Sequence, residues 1–118
     1  MLDKILGFIA SLPHIVESGT ASNWYYRKWS DGTAECWRRY GVNVAANTVR
    51  TSDILQFPFT FTEVPTVLMS IAAGGADLYR GHIESSSTNA SQVRLVFINK
   101  HTAAVPMVAQ LQAIGKWK

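Results

Sequence analysis

The chain has 118 residues, of which 47% are apolar and 16% charged, with a net charge of +3. That size and balance describe one globular domain able to bury a core, and they exclude a disordered chain. The eleven Lys and Arg are scattered rather than clustered, so nucleic-acid binding is not expected. The single cysteine, Cys36, excludes an internal disulfide, and no apolar run is long enough for a membrane-spanning helix.

Residues 1–13 read as a short N-terminal helix. Leu2, Ile5, Ile9 and Leu12 alternate at three- and four-residue spacing, as along a coiled-coil seam, and Pro13 ends the run. A helix of barely three turns is marginal alone, so it either docks on its own domain or forms the end of a trimeric stalk. The segment lacks a basic leader and a convincing cleavage site, and it is not read as a signal peptide.

From residue 14 to 118 the pattern is that of strands. His14–Ser18 is a short extended stretch and 19–23 is turn-like. Trp24–Ser30 and Thr33–Val44 form a hairpin around Asp31-Gly32, a dipeptide suited to a two-residue type I′ turn. Strands follow over Thr51–Thr62, with Phe57, Phe59 and Phe61 alternating, and over Thr66–Ala73. Pro58 argues for an edge or bulge in the first of these. After Gly74-Gly75, Leu78–Glu84 is a strand and Ser85–Ser91 a polar loop. Val93–Asn99 is apolar enough for a central strand covered on both faces. Val105–Ile114 closes the chain, with Val105, Met107, Ala109, Leu111 and Ala113 on one face. Short strands at close spacing indicate an all-β, antiparallel β-sandwich of about six strands.

A two-residue loop at Asp31-Gly32 sets the register of the hairpin. Lys28 then faces Glu35, Tyr26 faces Trp37, and Trp24 faces Arg39. The opposite face carries Trp29, Ala34 and Cys36, assigned to the core. The mixed aromatic and charged face, Trp24, Tyr26, Lys28, Glu35, Trp37 and Arg39, suits a subunit interface, a ligand surface or a partly buried core.

Catalytic constellations are absent from the spacing. Cys36 lies beside acidic Glu35, which works against a reactive thiolate. His14, His82 and His101 are dispersed, and one Cys with three scattered His lacks metal-site spacing. No cofactor is implied and no enzyme is expected. One segment gathers recognition chemistry: Asp77, Tyr79, Arg80 and His82, followed by Glu84, supply carboxylate, aromatic, guanidinium and imidazole groups of the kind that hold sugars. The alternative is a solvated strand and loop.

The string Trp24-Tyr25-Tyr26-Arg27-Lys28-Trp29-Ser30-Asp31-Gly32-Thr33-Ala34-Glu35-Cys36-Trp37 resembles a segment of C-terminal domains in tail and baseplate proteins of phages and prophages of Gram-positive bacteria. Phe57-Pro58-Phe59-Thr60-Phe61-Thr62-Glu63-Val64-Pro65-Thr66-Val67 is similar to the Phe-rich strand and Pro-x-Val step of H-type lectin-like sandwiches. Together the resemblance spans roughly residues 19–117. It implies a six-stranded antiparallel sandwich that assembles as a homotrimer at the distal end of a fibre. It further implies contact with other tail or baseplate proteins, a place in the virion after assembly in the host cytoplasm, and recognition of host cell-surface glycans. No residue here matches a sugar-binding motif of that family. The functional expectation is therefore a receptor-binding tail module that binds carbohydrate. A structural trimerisation or baseplate domain without its own ligand is the first alternative, and a small glycan hydrolase the second.

Overall fold

The computed structural model describes residues 12–72 and 78–118, and all statements about the fold refer to these. Of the helix expected over 1–13, residues 1–11, with Leu2, Ile5 and Ile9, lie outside them, and Leu12 and Pro13 are not helical. Leu12 is exposed.

The fold is all-β and antiparallel, as expected. A five-stranded sheet runs in the order β1 (Ile15–Ala21), β2 (Trp24–Trp29), β3 (Thr33–Val44), β10 (Val105–Lys116), β6 (Thr66–Ala72). A second sheet of three strands has β9 (Leu95–Asn99) between β4 (Thr48–Thr51) and β7 (Tyr79–Ile83). A short pair joins β5 (Leu55–Gln56) to β8 (Gln92–Val93). β10 pairs along its full length with β3, and this long central ladder fixes the sheet.

The core forms where the inner faces meet. Met107, Ala109, Leu111 and Ala113 alternate inward from β10, as the sequence pattern indicates, and Ala34, Cys36 and Val44 do so from β3. Leu95 and Phe97 face them from β9, and Tyr40 stacks on Phe97 across the sheets at 6.1 Å. Buried apolar area of this kind supplies the main driving force of folding. Asn99 is the one polar group deep in β9. Its Nδ2 donates to the carbonyls of Val44, Ala45 and Ala103, and its Oδ1 accepts from the His101 N–H, so its burial leaves nothing unpaired.

Three expectations change. The Phe-rich run is not a strand beyond Leu55–Gln56. Phe57, Phe59 and Phe61 instead pack on one another, at 5.3 Å between Phe57 and Phe61 and 4.7 Å between Phe59 and Phe61. Phe57 also meets the Trp24 ring edge-on at 5.4 Å. Pro58 removes a ladder donor, and the backbone N–H groups of Phe57 and Phe61 are satisfied one at a time by Ser91 and Ala90. The second change is in β9, whose outer residues Val96 and Ile98 are only half-buried, so the strand is central but covered on one side. The third concerns the start of the sandwich, where β1 continues through Gly19 and only Ser22 and Asn23 turn. Both have positive φ, 54° and 69°, as a type I′ hairpin loop requires.

Candidate functional site

The hairpin between β2 and β3 decides what the large sheet shows to solvent. Its loop is Ser30-Asp31-Gly32. The Gly32 N–H donates to the Trp29 carbonyl at 3.1 Å, and Gly32 alone has positive φ, 94°. This is a turn followed by a left-handed glycine, which needs three loop residues instead of two. Asp31 Oδ1 accepts hydrogen bonds from the Thr33 backbone N–H (2.9 Å) and hydroxyl (2.6 Å), which hold the Asp31 carboxyl below its ordinary range. The C-terminus locks the loop: the Trp117 N–H donates to the Gly32 carbonyl and Trp117 Nε1 to the Trp29 carbonyl, both at 2.9 Å.

The additional loop residue shifts the register by one. Tyr25 pairs with Trp37, Tyr26 with Cys36, Arg27 with Glu35, and Lys28 with Ala34. Side chains alternate across a strand, so a one-residue shift sends each β2 side chain to the face opposite to that expected. Trp24 is fully buried in the core and Tyr26 is half-buried against it. Lys28 also turns inward. Its ammonium lies 4.9 Å from the Phe59 ring centre and 5.1 Å from that of Trp117, and it pairs with Glu17 at 3.1 Å. The Lys28 ammonium, and after it the Tyr26 hydroxyl, lower the Glu17 carboxyl, and Glu17 in turn raises the Tyr26 phenol. Trp24, Tyr26 and Lys28 therefore do not share a surface with Glu35, Trp37 and Arg39. Ala34 and Cys36 are buried as expected, but Trp29, expected in the core with them, falls on the face of Tyr25 and Arg27 by the same shift and is only half-buried.

The outer face of the five-stranded sheet is thus assembled by register. One row crosses all five strands as Thr20, Tyr25, Trp37, Gln112 and Leu68. The next row reads Ser18, Arg27, Glu35, Ile114 and Thr66. On the other side, Arg39, Gln110 and Ser70 are aligned. Tyr25 and Trp37 stack at 6.0 Å with their planes 18° apart, and the Arg27 guanidinium lies 5.0 Å from the Trp37 ring centre. Glu35 is tied to Arg27 at 3.7 Å and accepts a hydrogen bond from Gln112 Nε2 at 3.1 Å. Tyr25 remains 57% exposed and Leu68 52%, so this large aromatic and apolar surface is open to a partner. A shallow depression of about 660 Å³ lies over it, between the aromatic pair and the Leu68–Ser70 segment of β6.

The other expected ligand residues occupy the small sheet. Arg80 and His82 alternate outward from β7, opposite Ile98 and Val96 of β9, and both are exposed. Tyr79 points to the opposite face, where its ring lies 6.2 Å from that of His101. Asp77 lies outside the described residues. The structure therefore brings Arg80 and His82 together and separates Tyr79 from them.

Burial pushes the Cys36 thiol up to about 12, with Glu35 adding to the effect, so the thiolate is scarce at neutral pH. Among the described residues no three His, Cys, Asp or Glu side chains come together as a metal site.

No protein-family profile matches the sequence, and no curated protein is significantly similar to it. Solved structures are similar in fold. A fragment of the Pseudomonas aeruginosa R1 pyocin fibre, comprising its C-terminal residues 323–701, aligns with a TM-score of 0.72 and 17% identity over 98% of this chain. This chain spans only 31% of the length of that fragment. An N-truncated R1-type pyocin tail fibre aligns with a TM-score of 0.71 and 17% identity, covering 98% of this chain and 96% of the other. The tailspike protein gp49 of Pseudomonas phage LKA1 gives a TM-score of 0.58 and 21% identity, over 73% of this chain and 15% of that one. At these identities the likeness is one of fold. It extends neither to a Gram-positive phage origin nor to an H-type lectin, and what it establishes is that the sandwich is of a kind found in tail fibres and a tailspike.

Proposed function

We propose that this chain is a recognition module of a phage-type tail fibre, which binds cell-surface carbohydrate through the outer face of its five-stranded sheet and acts as a homotrimer. The observation that carries this reading is the exposed Tyr25–Trp37 stack flanked by Arg27, Arg39, Gln110 and Gln112. Flat aromatic surface accommodates the apolar face of a sugar ring, and guanidinium and amide groups at its border donate to hydroxyls. This surface is favoured over Arg80 and His82, whose neighbours across the small sheet, Val96 and Ile98, are aliphatic. The pyocin fibre folds described above support the reading as a tail component.

Trimer formation is supported by β1. Six of its seven residues are exposed, and Ile15 and Val16 are each nearly half-exposed, although the strand is hydrogen-bonded along one edge to β2. Among the described residues no strand pairs with the outer edge of β1, and an exposed edge of this kind is a natural surface for a neighbouring copy. Three copies would also convert a weak single-site affinity into firm attachment to a cell.

The test is binding of the full chain to a glycan array and to intact bacteria, together with its mass in solution. The reading expects a species three times the 13.0 kDa subunit, with glycan binding lost in Trp37→Ala and kept when Arg80 and His82 are both replaced by Ala. A trimer that binds no glycan would favour the structural alternative, in which the exposed Leu68 and Ile114 belong to a contact between fibre components. Release of reducing sugar from purified wall or capsule would instead establish a hydrolase.

A further inference from the structure

We infer that the saccharide taken by the outer face is anionic, with its acidic group directed to Arg39 and its ring against Trp37. The inference rests on the carbohydrate reading above and adds the charge of the ligand.

It follows from a comparison of donors and acceptors on the described part of that face. The only carboxylate in the two rows around the aromatic stack is Glu35, and both of its oxygens are engaged, one by Arg27 and one by Gln112. Arg27 is spent on that pair and on the Trp37 ring. Arg39 differs. Its side chain is exposed and forms no ion pair among the described residues, and in the register it stands beside Gln110, which in turn faces Ser70. The row next to the stack thus offers a guanidinium, a carboxamide and a hydroxyl, with no carboxylate to repel an anion. A neutral sugar would leave the positive charge of Arg39 without a counterpart. A carboxylate or phosphate on the sugar would meet it in the fork geometry that guanidinium favours. The depression of about 660 Å³ bounded by Trp37, Arg39, Leu68 and Gln110 brings the aromatic ring and the guanidinium to one open surface.

The experiment measures binding to the full chain by calorimetry and by tryptophan fluorescence. The probes are a galacturonic acid trisaccharide, its neutral galactose counterpart and galactose 6-phosphate, each at low and high salt. The expected result is binding of at least one acidic probe about tenfold tighter than the neutral one, a preference that salt weakens. The two acidic probes decide between carboxylate and phosphate. Arg39→Gln should abolish the difference between the acidic and the neutral probes, and Trp37→Ala should remove binding of both; circular dichroism confirms that both variants fold. Equal binding of acidic and neutral probes would overturn the inference while the carbohydrate reading stands. Acid preference that survives Arg39→Gln would place the anion elsewhere and also overturn it. If no probe binds while the glycan array is positive, the anionic assignment fails alone; if the array is blank too, both readings fail.

Discussion

The two faces of the β2–β3 hairpin come from the same fourteen-residue stretch of sequence, yet they do opposite work. Inward, Trp24, Tyr26, Ala34 and Cys36 fill the core, and even Lys28 is held among aromatic rings and paired to Glu17. Outward, Tyr25, Arg27, Glu35 and Trp37 form a layer of stacking and hydrogen bonds that nothing in the described chain covers. Both faces contain aromatics and charges, so composition does not tell them apart. What separates them is register, and register is set by one loop residue.

The sharpest way to probe this difference is to remove one tryptophan from each face. Trp24→Ala empties a site with no exposed surface and should cost about 3–5 kcal/mol in urea denaturation, enough to leave a small domain marginal or unfolded. Trp37→Ala removes a stacked but accessible ring and should cost only about 1 kcal/mol, while abolishing saccharide binding. Equal costs would mean that the outer layer is part of the core and that the recognition surface is misplaced.

A smaller effect is expected at the loop itself. A Cβ on Gly32 would sit 3.0 Å from the Lys118 carbonyl oxygen, and the φ of 94° is strained for any L side chain. Gly32→Ala should destabilise by about 1–2 kcal/mol, and an unchanged denaturation midpoint would argue against the three-residue loop. Cys36 reports on the inner face without mutation. With its thiol buried and raised to about 12, it should resist a thiol reagent at pH 8 in the native state and react at the rate at which the sandwich opens. Rapid modification of the folded protein would show that the inner face is not sealed.

The same residues mark what could be read from the sequence. The inward alternation of Val105 to Ala113 was legible because a long strand with one buried face has a period of two, and no turn interrupts it. The hairpin was legible as a hairpin, but its faces were not. Asp31-Gly32 suits a type I′ turn, whereas the Gly32 N–H bonds to the Trp29 carbonyl, Asp31 caps Thr33, and Trp117, just past a strand distant in sequence, bonds the Gly32 and Trp29 carbonyls. Phe57, Phe59 and Phe61 have the spacing of a strand but serve as a plug, because the backbone partners they find, Ser91 and Ala90, are in a loop and not in a neighbouring strand. The Tyr25–Trp37 row combines strands distant in sequence, with Gln112 and Leu68 arriving from β10 and β6, so only the assembled sheet discloses it. Arg80 and His82 could be picked out as polar groups on one strand, but Tyr79 faces the other way by the alternation of that strand.

The subtlest test concerns what holds the three-residue loop. The two hydrogen bonds from Thr33 are stronger to ionised than to protonated Asp31 and keep its folded-state pKa below the unfolded one. The stability linked to this group is then fully present above the unfolded value and disappears as pH falls through the folded value. Asp31→Asn should therefore be less stable than the parent at neutral pH, with the gap narrowing through the acid range and closing once Asp31 in the parent is protonated. Glu17, also lowered, chiefly by Lys28, is common to both proteins, so it cancels from their difference. Denaturation midpoints of the pair at several pH values measure the gap directly. A gap that does not vary with pH would mean that the carboxylate charge is irrelevant to the turn, and that the register of the hairpin is imposed instead by the long β3–β10 ladder and the return of Trp117.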